Sequence, residues 1–170
     1  MWRSVPSGMV ALLLTGSLVA GQALAANEGQ ADLDRATEAK LSARTLSDLG
    51  EVVRLCESAL AKGLDKDNTQ LARELLVSTL IERAKHTTKQ LLGSPLLDPN
   101  LPRYRQFALE DLEKAVKLNP QQPEAPYLVA QLSFLPGGDK KRAVKALDDA
   151  IRLSANEPAL RAQALTLRAE

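Results

Sequence analysis

Residues 108–115, ALEDLEKA, and residues 143–150, AVKALDDA, carry alanine, leucine and alanine at identical intervals. Residues three and four positions apart lie on one face of a helix, so each segment predicts a helix with an apolar stripe. Alanine allows two helices to cross closely, and the larger leucine fills the space between them. Because Ala143 follows Ala108 by 35 residues, the two segments predict helices that pack in a repeated way.

The residues around these two segments also repeat. Pro120 and the sequence PEA at 123–125 follow the first segment, and Pro158 and Ala159 follow the second. The same spacing occurs once upstream, at Val52, Cys56 and Ala59. The pattern resembles the tetratricopeptide repeat, whose second helix carries small, bulky and small residues at these intervals and whose loop carries a proline. The resemblance implies an all-α fold, an α-solenoid of helix-turn-helix repeats.

The repeat also predicts the boundaries of its units. The units span about 33–66, 67–122 and 123–157, and an incomplete unit covers 158–170. The second unit contains an insertion near 90–105, whose prolines Pro95, Pro99 and Pro102 predict an ordered loop rather than a helix. The polar residues 26–32 predict a disordered start. Two helix boundaries are specific expectations, a start at Thr45 with Asp48 three residues later and a stop at Gly63.

The first 25 residues have the order of a secretory signal. Arg3 is followed by an apolar run at 9–20 and then by Ala23-Leu24-Ala25, where small residues occupy the two positions that a signal peptidase reads. We expect cleavage after Ala25 and export to the periplasm or the extracellular space. The alternative is an N-terminal membrane anchor, but the apolar run is shorter than the roughly 20 residues of a spanning helix. No stable membrane insertion is therefore expected after signal removal.

Composition argues against several classes of function. Lys and Arg together number 22 and Asp and Glu 21, and aromatic residues are 3% of the chain, which disfavours nucleic-acid binding. One cysteine and one histidine argue against a multi-cysteine zinc site or a two-histidine metal site. His86 follows Glu82 by four residues and is expected to form a surface pair, and Cys56 is expected in the core. We therefore predict no catalytic, cofactor-binding or metal-binding residues.

The resemblance places function on the concave face, which is lined by the first helix of each unit. The predicted groove residues are Asn68, Leu71, Leu75, Ser78, Glu124, Tyr127, Gln131 and Phe134. A groove that is apolar with polar edges suits a peptide or a partner helix. The leading hypothesis is therefore a non-enzymatic scaffold for protein–protein interaction.

Two other functions remain open from the sequence. The chain could be the docking module at the N-terminus of a larger exported enzyme or of a longer repeat protein. A third and weaker hypothesis is a redox-responsive protein that acts through Cys56.

The last predicted helix carries apolar residues with no following helix in the sequence to cover them. These residues are Leu160, Ala164, Leu165 and Leu167. An uncovered apolar face is typical of an interface, so we predict self-association through this end of the protein.

The signal sequence generates the first testable prediction. Protein exported by its host should begin at Ala26, because the peptidase site ends at Ala25. Intact-mass measurement of the secreted or periplasmic protein gives the start directly. A retained N-terminus together with fractionation into membranes would contradict this prediction.

Overall fold

The computed structural model describes residues 27–93 and 99–169, and the predicted signal peptide at 1–25 lies outside them. The described residues form seven α-helices and no β-strand, which confirms the all-α prediction. The helices are α1 Gln30–Ser42, α2 Leu46–Lys62, α3 Lys66–Leu92, α4 Leu101–Leu118, α5 Glu124–Phe134, α6 Lys140–Leu153 and α7 Pro158–Ala169. A short 3-10 helix, Ser154–Asn156, precedes α7.

The predicted boundaries at Thr45 and Gly63 are confirmed. The Thr45 hydroxyl accepts a hydrogen bond from the backbone N–H of Asp48 at 3.1 Å, and the Asp48 carboxylate accepts one from the N–H of Thr45 at 2.8 Å. This reciprocal pair satisfies two N–H groups that the first turn of a helix leaves unpaired. Gly63 has a φ of 97°, a backbone conformation that favours glycine, and α2 therefore ends there.

Consecutive helices pack against each other along the whole described chain, and α3 also contacts both α1 and α5. The repeated alanine and leucine positions lie at the centres of these contacts. Nine residues at these positions are fully buried, namely Val52, Cys56, Ala59, Ala108, Leu112, Ala115, Ala143, Leu147 and Ala150. The spacing thus identifies the packed faces of α2, α4 and α6.

The described chain is ordered at its start, although the sequence predicted disorder at 26–32. The helix α1 begins at Gln30, and the Gly29 N–H donates to the carbonyl of Gly63 at 2.9 Å. The buried carboxylate of Asp32 accepts hydrogen bonds from Ser58 and Lys62, both at 2.6 Å. Polar composition alone was misleading here, because the charge of Asp32 is paired with residues of α2.

The structure of the predicted insertion near 90–105 also differs from the expected loop, because most of its described residues are helical. The helix α3 extends to Leu92 and α4 begins at Leu101, whereas residues 90–105 had been expected to form a loop. Pro102 lies in the first turn of α4, where its missing N–H group removes no helical hydrogen bond. A proline in this sequence therefore marks the start of a helix.

The side chain of Arg105 connects α4 to the end of α5. Its guanidinium donates to the carbonyls of Pro136 at 2.8 Å and Gly137 at 3.1 Å, and more weakly to that of Leu135 at 3.5 Å. Carbonyl groups at a helix C-terminus have no partner within the helix. Arg105 thus provides donors for the carbonyls of the turn that follows α5.

Two apolar residues of α4 are less buried than the spacing predicted. Phe107 is 43% exposed and Val116 is 37% exposed, although the helical spacing of apolar residues in this segment predicts that both are buried. The stripe of α4 is narrower and consists mainly of Ala108, Leu112 and Ala115. The guanidinium of Arg83 lies 4.7 Å from the centre of the Phe107 ring and covers one of its faces.

Ala115→Leu should destabilise the protein by about 1–3 kcal/mol, because the added methylenes have no space between the packed helices. Ala61→Leu is the matched control, since Ala61 lies exposed on α2. Urea or thermal unfolding followed by circular dichroism measures both changes. A wild-type melting temperature for Ala115→Leu would mean that the buried stripe is misassigned.

Candidate functional site

A depression that involves three helices lies between the second half of α3, α5 and α7. It comprises three adjoining concavities of about 520, 450 and 360 Å³ that share lining residues. Gln163 of α7 lines all three, and Tyr127 and Leu160 each line two. We call this depression the α3/α5/α7 groove.

The groove follows from the helical spacing of its residues. The α3 wall consists of Lys85, Thr88, Lys89 and Leu92, and the α5 wall consists of Glu124, Tyr127, Leu128 and Gln131. Within each set the residues recur at intervals of three and four, which places them on one helix face. The groove is therefore lined by apolar side chains, among them Tyr127, Leu128 and Leu160, together with charged and amide side chains.

Two polar contacts fix the positions of side chains in the groove. Lys85 of α3 and Glu124 of α5 form an ion pair at 2.6 Å, but both side chains are at least 36% exposed. Such exposed pairs contribute about 1 kcal/mol or less, so this one orients the two helices more than it stabilises them. The Gln131 amide donates to the Tyr127 hydroxyl at 3.2 Å, which fixes the ring that forms part of the floor.

A buried ion pair holds α3 against α4 on the other side of the helix. The Arg83 guanidinium donates two hydrogen bonds to the Asp111 carboxylate, at 2.7 and 2.6 Å. The side chains are 12% and 6% exposed, so the two charges are largely removed from water and depend on each other. This contact fixes the half of α3 that forms the groove wall.

Three of the predicted groove residues, Glu124, Tyr127 and Gln131, lie together in the groove. Phe134 instead packs against the buried cluster formed by α5, α6 and α7. The four predicted residues on α3, namely Asn68, Leu71, Leu75 and Ser78, do not line the groove. They lie in the first half of that helix.

Each of these four residues has a different environment. Asn68 bonds to Asp65 at the start of α3, and Leu75 packs against the core. Leu71 is 49% exposed, and Ser78 is exposed as well. The stripe that begins at Leu71 continues at intervals of three and four to Leu92. Had residues 90–92 been predicted as helix, the same spacing would have identified Lys85, Lys89 and Leu92.

The four predicted end-interface residues do not form one exposed face. Ala164 is fully buried, and Leu167 is half-buried against the α5–α6–α7 cluster. Leu160 lines the groove, and Leu165 is 50% exposed. The neighbouring helices therefore cover much of the apolar surface of α7 that had been expected to be free.

The remaining candidate residues show no arrangement of reactive groups. Glu82 pairs with Lys40 of α1, and His86 is exposed. Among residues 27–93 and 99–169, no cluster of His, Cys, Asp and Glu could hold a metal ion. In the same ranges, no helix combines the length and the apolar character needed to cross a bilayer.

No protein-family model matches this chain, and a search among curated proteins finds no match either. The resemblance to the tetratricopeptide repeat therefore depends on the spacing of the residues themselves.

Cys56 should be unreactive in the native protein. Burial, assisted by the nearby charge of Glu57, raises the pKa of its thiol from 9.0 to about 11, so the reactive thiolate is scarce at neutral pH. A coloured disulfide reagent should react slowly with the native protein and fast in denaturant. Equal rates in both states would contradict the buried position.

The same pKa shift predicts a pH dependence of stability. Below about pH 9 the thiol is protonated in both folded and unfolded states. As the pH rises from 9 towards 11, the unfolded thiol ionises first, so the free energy of unfolding should fall. Cys56→Ala should remove this part of the pH dependence, as urea titrations across the window can show.

Proposed function

We propose that the protein is a non-enzymatic interaction module that binds a peptide or a partner helix in the α3/α5/α7 groove. The observation that carries this proposal is that three helices, successive first helices in the repeat pattern, contribute to one continuous depression. A groove that crosses several helices offers contacts along the length of an extended or helical segment.

The proposal includes a solenoid of tetratricopeptide type. In this arrangement α1, α3, α5 and α7 are the first helices of their units, and α2, α4 and α6 are the second helices. The contacts of α3 with both α1 and α5 support it, because first helices of neighbouring units adjoin in such a stack. The full burial of the repeated positions on α2, α4 and α6 supports it as well.

The chemistry of the groove favours a polypeptide with apolar anchors and polar flanks. Leu92 is 53% exposed at one edge, and Tyr127 and Leu160 are partly exposed in the floor. Covering a side chain of this size stabilises a complex by about 1.5–3 kcal/mol. The edges carry Lys85 and Glu124 in an ion pair and the amides of Gln131 and Gln163, which can donate and accept hydrogen bonds.

Export is part of the same proposal. The order of residues in the first 25 positions supports a periplasmic or extracellular protein, in which this module would meet other exported proteins.

Selection from a random-peptide display library, followed by fluorescence anisotropy of the selected peptides, tests the function. Gln163→Arg places a long cation at the centre of the groove and should weaken peptide binding by about tenfold or more. Gln106→Arg is the matched control, because Gln106 is an exposed helical glutamine on α4 outside the groove. Its peptide affinity should equal that of the wild type.

Two results would contradict the proposal. One is that the selection retains no peptide above background. The other is that the selected peptides bind Gln163→Arg as tightly as the wild type, since their site would then lie elsewhere.

A further inference from the structure

A separate cavity lies beside the last turns of α3, on the side that faces α2 and α4. Its volume is about 850 Å³, and its lining includes Leu46, Leu91, Tyr104 and Phe107. Cavities that hold small molecules in proteins commonly measure about 300–1,000 Å³. We call it the Tyr104 cavity.

Two aromatic side chains in the wall of this cavity are partly exposed instead of being buried in the core. Tyr104 is 49% exposed and Phe107 is 43% exposed. The contact with Arg83 and the pairing of Arg83 with Asp111 together hold the Phe107 ring in place. Two partly exposed rings in one concavity form a surface on which a flat aromatic group can pack.

The charged side chains among the described residues that line the cavity are all positive. Lys89 and Arg103 line it, and none of the described residues that line it carries a carboxylate. Both side chains are exposed, and neither pairs with a carboxylate of the described residues. The third nearby cation, Arg83, is balanced by Asp111. Among the described residues, the cavity therefore presents two positive charges without a paired carboxylate next to an apolar and aromatic wall.

We propose that the Tyr104 cavity binds a small aromatic anion, with its ring against Tyr104 and Phe107 and its anionic group near Arg103 and Lys89. The site is distinct from the peptide groove, although Lys89 lies at the edge of both. Arg103 lines only the cavity, so it separates the two sites in a mutational test.

Two fluorescent dyes with nearly the same aromatic body test the proposal. Anilinonaphthalene sulfonate carries an anionic group, and N-phenylnaphthylamine is neutral. Titration of the native protein at low salt should give saturable binding of both dyes. Arg103→Gln should weaken binding of the sulfonate by about fivefold and change binding of the neutral dye by less than about twofold. Added salt should weaken binding of the sulfonate only.

Three further variants locate the dyes. Tyr104→Ser should weaken both dyes, because it removes part of the aromatic wall. Arg161→Gln is the matched control for charge, since Arg161 is exposed on α7 away from the cavity, and it should leave both affinities unchanged. Gln163→Arg alters the groove and should also leave both unchanged. Melting curves confirm that each variant is folded, because partly unfolded proteins bind the sulfonate dye through exposed apolar surface.

The proposal is overturned if the native protein binds neither dye saturably, or if Arg103→Gln and Arg161→Gln have equal effects on the sulfonate. It is also overturned if Gln163→Arg changes the dye affinities while Tyr104→Ser does not, since the dyes would then occupy the groove.

Discussion

The packing of α2, α4 and α6 depends on alanines that leave room for a neighbouring helix. Ala59, Ala115 and Ala150 are fully buried at equivalent positions on α2, α4 and α6. A larger side chain at any of them would push two helices apart, and the displacement would reach the helices packed beyond. The groove residues lie on the first helices, so their spacing depends on these contacts.

The second half of α3 borders two concave surfaces. One side of it forms a wall of the α3/α5/α7 groove, and the other borders the Tyr104 cavity. The buried pair of Arg83 and Asp111 fixes this half against α4, because neither charge can leave the other without remaining unpaired away from water. This ion pair thus helps to position both surfaces.

The sequence predicted the buried stripes and the capped start at Thr45 because both depend on residues a few positions apart. It failed where a residue depends on distant partners, as at Asp32, and where a proline suits either a loop or the first turn of a helix, as at Pro102. Pro102 was read as part of a loop, although it begins α4, and Asp32 was placed in a disordered start, although Ser58 and Lys62 bind it. Five of the eight predicted groove residues lie outside the α3/α5/α7 groove, namely Phe134 and the four residues on α3, where the length of the helix decides which part of its stripe faces α5.

The hydrogen bonds of Arg105 link the stability of the turn after α5 to the formation of α4. Its guanidinium caps the end of α5 from a position about 30 residues earlier in the chain. In an array of simple repeats, each unit has its own stability and adds a contact with its neighbour. Here the carbonyls of Pro136 and Gly137, in the turn that follows α5, receive the hydrogen bonds of Arg105 only after α4 has formed. The first turns of α4 therefore add a link between two consecutive units, and removing them would leave the turn after α5 without these hydrogen bonds, although α5 would still pack against α3.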